Sequence, residues 1–331
     1  MKKSLATLTF TALALSAMAI PVLVSRYSAS AESKLNSAPA ASAAAQDLVS
    51  AELTTGAVLP ARDIYALNTN NVLFVMYAGT TSFTRLTRLE AGSSTFIGID
   101  FRPADNRLYA LDDTGTLYTV ALGAANLGAL TKVSTLSPRF NSGFQSLMDF
   151  NPQVDAIRLV GSDNLNYAVV KDANGILNTT AVQTALTYPA PDVNAGKDAN
   201  IAGGAYTNNV PGTPVTIFYT LDFGMDTLAT IPPAAPGGSS ATGTGQLQTI
   251  GNLVTPTGAR INIAPTADCD VFTNANGVNF LVGISGRTLF SIDLNQIKPT
   301  LVRGQTQNVV VRGMALANID GGVMTDIAVR K

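Results

Sequence analysis

The sequence predicts an all-β protein, a β-propeller-like ring of four-stranded antiparallel blades, five by repeat count. Three observations carry this. One strand–turn–strand pattern recurs along the chain at irregular intervals of roughly 45–65 residues, the period of a propeller-type array. Within each copy apolar and polar residues alternate, and turn-forming Asn, Asp, Gly and Pro separate the runs. The two ends of the repeated region hold complementary fragments, about three strands at the start and about two at the finish. Joined, they complete one blade and leave no free sheet edge. Six blades, or a string of hairpins in a β-sandwich, are the alternatives that share this local pattern.

The fullest copy is residues 98–120, GIDFRPADNRLYALDDTGTLYTV. Ile99 and Phe101 alternate with Asp100 and Arg102. Pro103-Ala104-Asp105-Asn106 forms a turn, and Asp112-Asp113-Thr114-Gly115 forms the next. The copy at 146–170 repeats the opening, with Asp149-Phe150-Asn151-Pro152 in place of Asp100-Phe101-Arg102-Pro103. At 203–231 the aromatic position is filled by Tyr206, and at 268–294 by Phe272. The segment 311–329 begins a last copy and runs out after two strands. Two stretches interrupt the series, 187–201 and 232–245, and both read as surface loops. No run of ten residues inside the domain has helical periodicity.

Ahead of the repeats the chain reads as an export address. Lys2 and Lys3 precede a mostly apolar run at 5–24, and Ala29-Ser30-Ala31 fits the small-x-small cleavage rule. This predicts a signal peptide at 1–31, a flexible Ala/Ser-rich linker at 32–60 and a single propeller-like domain at 61–331. An uncleaved membrane anchor is the alternative for the apolar run. The expected location is therefore periplasmic or extracellular. Removing Lys2, Lys3 and Arg26 from 21 basic residues leaves 18 against 22 acids, a net charge of −4. Nucleic acid needs a basic footprint, and anionic lipid needs basic clusters, so neither is an expected partner. The expected partner is an unidentified ligand or an envelope or extracellular protein, met by a monomer.

Missing residue types narrow the chemistry. There is no His, which removes Ser–His–Asp and Cys–His catalysis and every imidazole metal site. Cys269 is the only cysteine, so no intramolecular disulfide or multi-thiolate zinc site can form, and a buried structural thiol is the expectation. Zero Trp removes the strongest stacking platform. No catalytic residue and no organic cofactor is identified. What remains is a set of repeated acids. Asp100 and Asp149 hold matching places, and Asp268 and Asp270 lie near the same place in a later copy. In a propeller the first strand of each blade lines the central channel. Converging there, these four could hold Ca²⁺, which takes oxygen ligands, with Asn208 and Asn274 adding amide oxygens. The competing reading is that each Asp accepts hydrogen bonds from its own turn. The Asp112–Gly115 turn and the loop at 192–198 (DVNAGKD) carry the same two readings, and turn chemistry explains both.

The series IYALNTNN, GIDFRPADNRLYALDDTGTLYTV, MDFNPQVDAIRLV, DVNAGKDANIAGGAYTNN and YTLDFGMDTLATIPP resembles, in order and spacing, a bacterial family of domains of unknown function, the one numbered 4394. The resemblance runs from about Asp63 to the end of the chain. It implies secreted or envelope-associated, propeller-like proteins with no assigned activity, and it supplies no catalytic residues. The expectation is an exported, non-catalytic binding or scaffolding protein. A calcium-dependent, lactonase-like propeller hydrolase using channel carboxylates and a structural cell-surface component are the alternatives.

Overall fold

The computed structural model describes residues 56–140, 145–316 and 322–331; the predicted signal peptide and most of the predicted linker lie outside them. The turn chemistry is where the sequence placed it. Asn106 and Asp155 end the first hairpins of two copies with φ of 52° and 51°, the left-handed region that Asn and Asp tolerate best.

The strands in chain order are β1 (Ile64–Asn68), β2 (Val72–Met76), β3 (Thr84–Arg88), β4 (Phe96–Arg102), β5 (Arg107–Asp112), β6 (Thr116–Val120) and β7 (Leu130–Thr135). They continue as β8 (Ser146–Asn151), β9 (Ala156–Gly161), β10 (Asn166–Lys171), β11 (Leu177–Val182), β12 (Ile201–Tyr206), β13 (Phe218–Asp222), β14 (Thr227–Ile231) and β15 (Gln248–Val254). The last are β16 (Asp268–Thr273), β17 (Asn279–Ser285), β18 (Thr288–Asp293), β19 (Val309–Val310), β20 (Arg312–Ala315) and β21 (Met324–Val329). They make five antiparallel blades, ordered from the inside outward. Blade one is β21-β1-β2-β3, blade two β4-β5-β6-β7 and blade three β8-β9-β10-β11. Blade four is β12-β13-β14-β15 and blade five β16-β17-β18-β20. Among the described residues the only helices are two single 3₁₀ turns, and none is long and apolar enough to cross a membrane.

The ring closes as predicted, because β21 pairs with β1, but the division of strands differs. The closing blade takes one strand from the end of the chain. The other strand expected there, β20, is the outer strand of blade five, paired with β18. Just before it, β19 lies parallel on β15 of blade four, so one run of chain clasps two blades at their outer edge.

The core is five clusters, one between each pair of successive blades. Tyr65, Leu67 and Val75 of blade one meet Phe101, Leu108 and Ala110 of blade two. Tyr109 and Leu111 of blade two meet Phe150, Ile157 and Leu159 of blade three, with the Tyr109 and Phe150 rings edge-on at 5.2 Å. The cluster of Phe272, Val282 and Ile284 with Ile64, Phe74 and Ile327 joins blade five to blade one. Five apolar junctions in a closed sequence fix a five-bladed propeller, not six blades and not a sandwich. Each blade is apolar on both faces, which is why β1, β2, β9 and β14 are buried along their whole length.

The two interrupting stretches are not equivalent. The segment before β12 is sealed onto blade four: Tyr188, Asp192 and Asn194 are buried, and Asp192 accepts from both the N–H and the hydroxyl of Thr249 at 2.8 and 2.7 Å. Residues just before Ala61 also join the propeller: Leu59 packs on the junction of blades five and one, and the Val58 N–H donates to Ser291 Oγ.

Candidate functional site

An inner strand in a propeller has one paired edge; its other edge faces the channel with backbone N–H groups that need acceptors. This chain supplies them from Asp side chains of the preceding blade. Asp100 on β4 accepts from Phe150 N on β8 at 2.7 Å. Asp149 on β8 accepts from Tyr206 N on β12 at 2.9 Å. Asp270 on β16 accepts from Val329 N on β21 at 2.7 Å. These bonds align the inner strands, so Asp100, Asp149, Ala205, Asp270 and Ala328 form one layer around the channel. The residues that follow them, Phe101, Phe150, Tyr206, Val271 and Val329, each face the preceding blade. Phe272 therefore does not hold the place of Phe101. Val271 does, and Phe272 packs the other way, toward blade one.

A second layer lies two residues earlier on each strand: Gly98, Leu147, Gly203, Asp268 and Asp326. Asp268 accepts from Ile327 N on β21 at 3.1 Å. Asp326 looks across at the N–H of Ile99 on β4 without reaching hydrogen-bond geometry. Blades four and five are joined differently. Asn209 donates to the Val271 carbonyl, Asn208 and Asn279 exchange amide hydrogen bonds, and Gly203 lets β12 approach the Asp268 backbone closely.

The acids of the first layer converge. Asp100, Asp149 and Asp270, all buried, each bring one carboxylate oxygen within 4.8 Å of the others. Three such oxygens are the chemistry of a hard-cation site. A cation from the chain itself is among them. Lys331, just past β21, places Nζ at 2.8 and 2.9 Å from the two Asp270 oxygens and 3.7 Å from Asp100 Oδ1. Its side chain is 6% exposed. The sequence reading missed Lys331, Asp326 and Asn209. Asp268 belongs to the other layer, and neither proposed amide joins the acids: Asn208 pairs with Asn279, and Asn274 Oδ1 accepts from Asn276 N and Val278 N of its own turn.

The acids are thus bonded neither as a free metal cage nor to their own turns alone. Asp100 and Asp270 each accept the next residue's N–H at 2.6 Å and a second N–H from the following blade. Burial dominates the electrostatics of Asp100. It pushes the Asp100 carboxyl up to about 7, against the pull of Lys331 and with the repulsion of Asp270. Burial first, then neighbouring acids, also hold Asp149 and Asp326 well above the usual range; Asp268 is raised by burial, with the hydrogen bond from the Ile327 N–H opposing. Burial alone would lower the Lys331 ammonium, but Asp270, Asp100 and Asp149 together raise it.

The other acidic candidates are turns. Asp112 Oδ1 accepts from Thr114 N, Thr114 Oγ1 and Thr116 N. In the 192–198 loop Asp192 is committed to Asn194 and Thr249, and Lys197 Nζ donates to Asn194 Oδ1 at 3.1 Å. Cys269 is buried, with its thiol raised by burial, as a structural thiol should be.

Fold and channel together define a five-bladed β-propeller tied from within by acidic side chains. The chain belongs to the family described as domain of unknown function DUF4394, whose model matches residues 73–315. No curated protein matches it. Among solved structures it is similar to a structural-genomics protein of unknown function from Bacteroides thetaiotaomicron VPI-5482, at 12% identity and a TM-score of 0.43. That likeness covers 66% of this chain and 53% of the other, so the chain spans about half of that protein's length. It is also similar to a chain of a nidogen/laminin complex, at 9% identity and a TM-score of 0.40, covering 82% of this chain and 98% of that one.

Proposed function

We propose that this propeller is exported and acts as a binding or scaffolding ring in the periplasm or outside the cell. The observation that carries the reading is the placement of exposed apolar side chains. The inner strands all end at one face of the ring, where the turns leading out of them and the turns between the third and fourth strands also lie. Tyr77, Val154, Ile176 and Val210 stand on those turns and are 41–60% exposed. Large exposed apolar side chains on turns held by a rigid scaffold suit a protein partner. The acids of the first layer, Asp100, Asp149 and Asp270, support the same reading, because they accept from backbone N–H groups and from Lys331.

The test is capture of partners from envelope and culture-fluid fractions with purified wild type and surface variants. V154D and V210D are expected to lose at least tenfold of any captured partner, while V323D, on the opposite face, retains it. Equal capture by all three variants contradicts the reading. Calcium-dependent hydrolysis of a lactone, abolished by D149N, would favour the lactonase-like alternative instead.

A further inference from the structure

The second channel layer holds a charge problem that the first does not. Asp268 is 3% exposed and Asp326 1%. Neither oxygen of Asp326, nor Oδ1 of Asp268, has a hydrogen-bond partner among the described residues. Lys331 belongs to the first layer, against Asp270 and Asp100. A buried carboxylate without a partner is costly, and two side by side are costlier.

The surroundings form an enclosed oxygen site. Gly98 and Gly203 fill two of the layer's other three positions. A Cβ at Gly98 would stand 3.2 Å from Asp326 Oδ2, and one at Gly203 2.8 Å from Asp268 Oδ1, so neither of these positions puts a side chain against the unpartnered oxygens; the layer's remaining position is the buried, apolar Leu147. Lys331 closes the channel on one side. On the other, Gln145 Nε2 donates to the Thr325 carbonyl at 3.0 Å. Gln145 precedes blade three and Thr325 belongs to blade one, which are not neighbours, so this bond spans the channel.

We propose that the Asp268–Asp326 layer binds one hard divalent cation, Ca²⁺ by its chemistry, with these two carboxylates as its protein ligands. Three unpartnered carboxylate oxygens, with no nitrogen or sulfur ligand in the layer, select a hard ion. Calcium takes bidentate carboxylates in irregular geometry, whereas magnesium demands a near-ideal octahedron. Water completes the shell. The site is distinct from the Asp100–Asp149–Asp270 convergence, where Lys331 supplies the positive charge, and it does not depend on the binding role of the ring's face. The competing account of the same pair is a single proton shared between the two carboxylates.

The experiment is calcium titration of the full chain after chelator treatment, followed by calorimetry and thermal unfolding near neutral pH. One calcium per chain is expected, with Tm raised by about 5–10 °C at a concentration a hundredfold above Kd. D326N is expected to lose the response, and D149N, in the other layer, to keep it. Elemental analysis of calcium-dialysed wild type is expected to give one calcium per chain, a readout that stands even where a variant does not fold. No heat, no Tm shift and no retained calcium in the wild type would overturn the proposal in favour of the shared proton. So would a response kept in D326N, or one lost in D149N and kept in D326N.

Discussion

Replacing Lys331 by methionine is expected to destabilise the ring by about 3–5 kcal/mol near neutral pH, the usual cost of removing one partner from a buried ion cluster. The substitution keeps the length of the side chain but leaves Asp100, Asp149 and Asp270 facing one another without the ammonium. The loss should depend on pH, with a sign that follows from the raised acids. Asp100 titrates at about 7 in the folded protein against 3.8 in an ordinary environment, and Asp149 is also raised. The folded state therefore holds their protons more tightly than the unfolded chain. Their contribution is fully present below the unfolded value and is lost as the pH rises through the folded one. Lys331 faces these groups directly, with Asp268 and Asp326 one layer away. The Lys331→Met defect should thus be smaller at about pH 5, where protons replace the ammonium, than at about pH 8. Denaturant unfolding of both proteins at the two pH values measures it; a defect of equal size at both would contradict it.

Gly203→Ala is expected to cost about 3 kcal/mol, at the upper end of overpacking. A Cβ there would lie 2.6 Å from the Asp268 Cα and 2.9 Å from the Cys269 backbone N. Both are backbone atoms of β16, so no rotamer change relieves the clash and β12 must move away. The junction of blades four and five is sensitive because no carboxylate bridges its inner strands. The Asn209 bond to Val271 would be the first lost. Gly123→Ala is the control, since its Cβ would meet only Asn126 Oδ1, at 3.4 Å. Thermal unfolding should show a clear drop for Gly203→Ala and little change for Gly123→Ala. Similar Tm values for the two would contradict the packing account.

The blades were legible because turn chemistry is local. The turns at 103–106 and 152–155 fix two hairpins wherever they fold, and Asn106 and Asp155 take up the left-handed backbone such turns need. Register was harder to read. The inner and middle strands are largely apolar on both faces, so alternation does not say which face meets which neighbour; Phe272 matches Phe101 in its aromatic ring alone. The outer strand at 312–315 is hard to place from sequence for a related reason. Four residues, Arg312–Ala315, carry no local mark of the long-range pairing that claims them. At the site, repetition exposed Asp100 and Asp149, and the Asp-x-Asp of Asp268 and Asp270 exposed one acid of each channel layer without telling the layers apart. Asp326 shares the layer of Asp268, but its strand lacks the aromatic that marks the opening in other copies. Lys331 sits outside any repeat, and only the three-dimensional closure of β21 onto β1 brings it to the acids.

The central claim is that channel carboxylates hold the ring by accepting the edge N–H groups of the following blade. Residue-resolved hydrogen exchange tests it most directly. The amides of Phe150, Tyr206 and Val329 lie on strand edges with no ladder partner there, yet each donates to an Asp. They are predicted to exchange as slowly as ladder amides of the same blades, and Asp149→Ala is predicted to accelerate Tyr206 while sparing Phe150 and Val329. Rapid exchange of all three in the wild-type protein, at the rate of open edge amides, would contradict it.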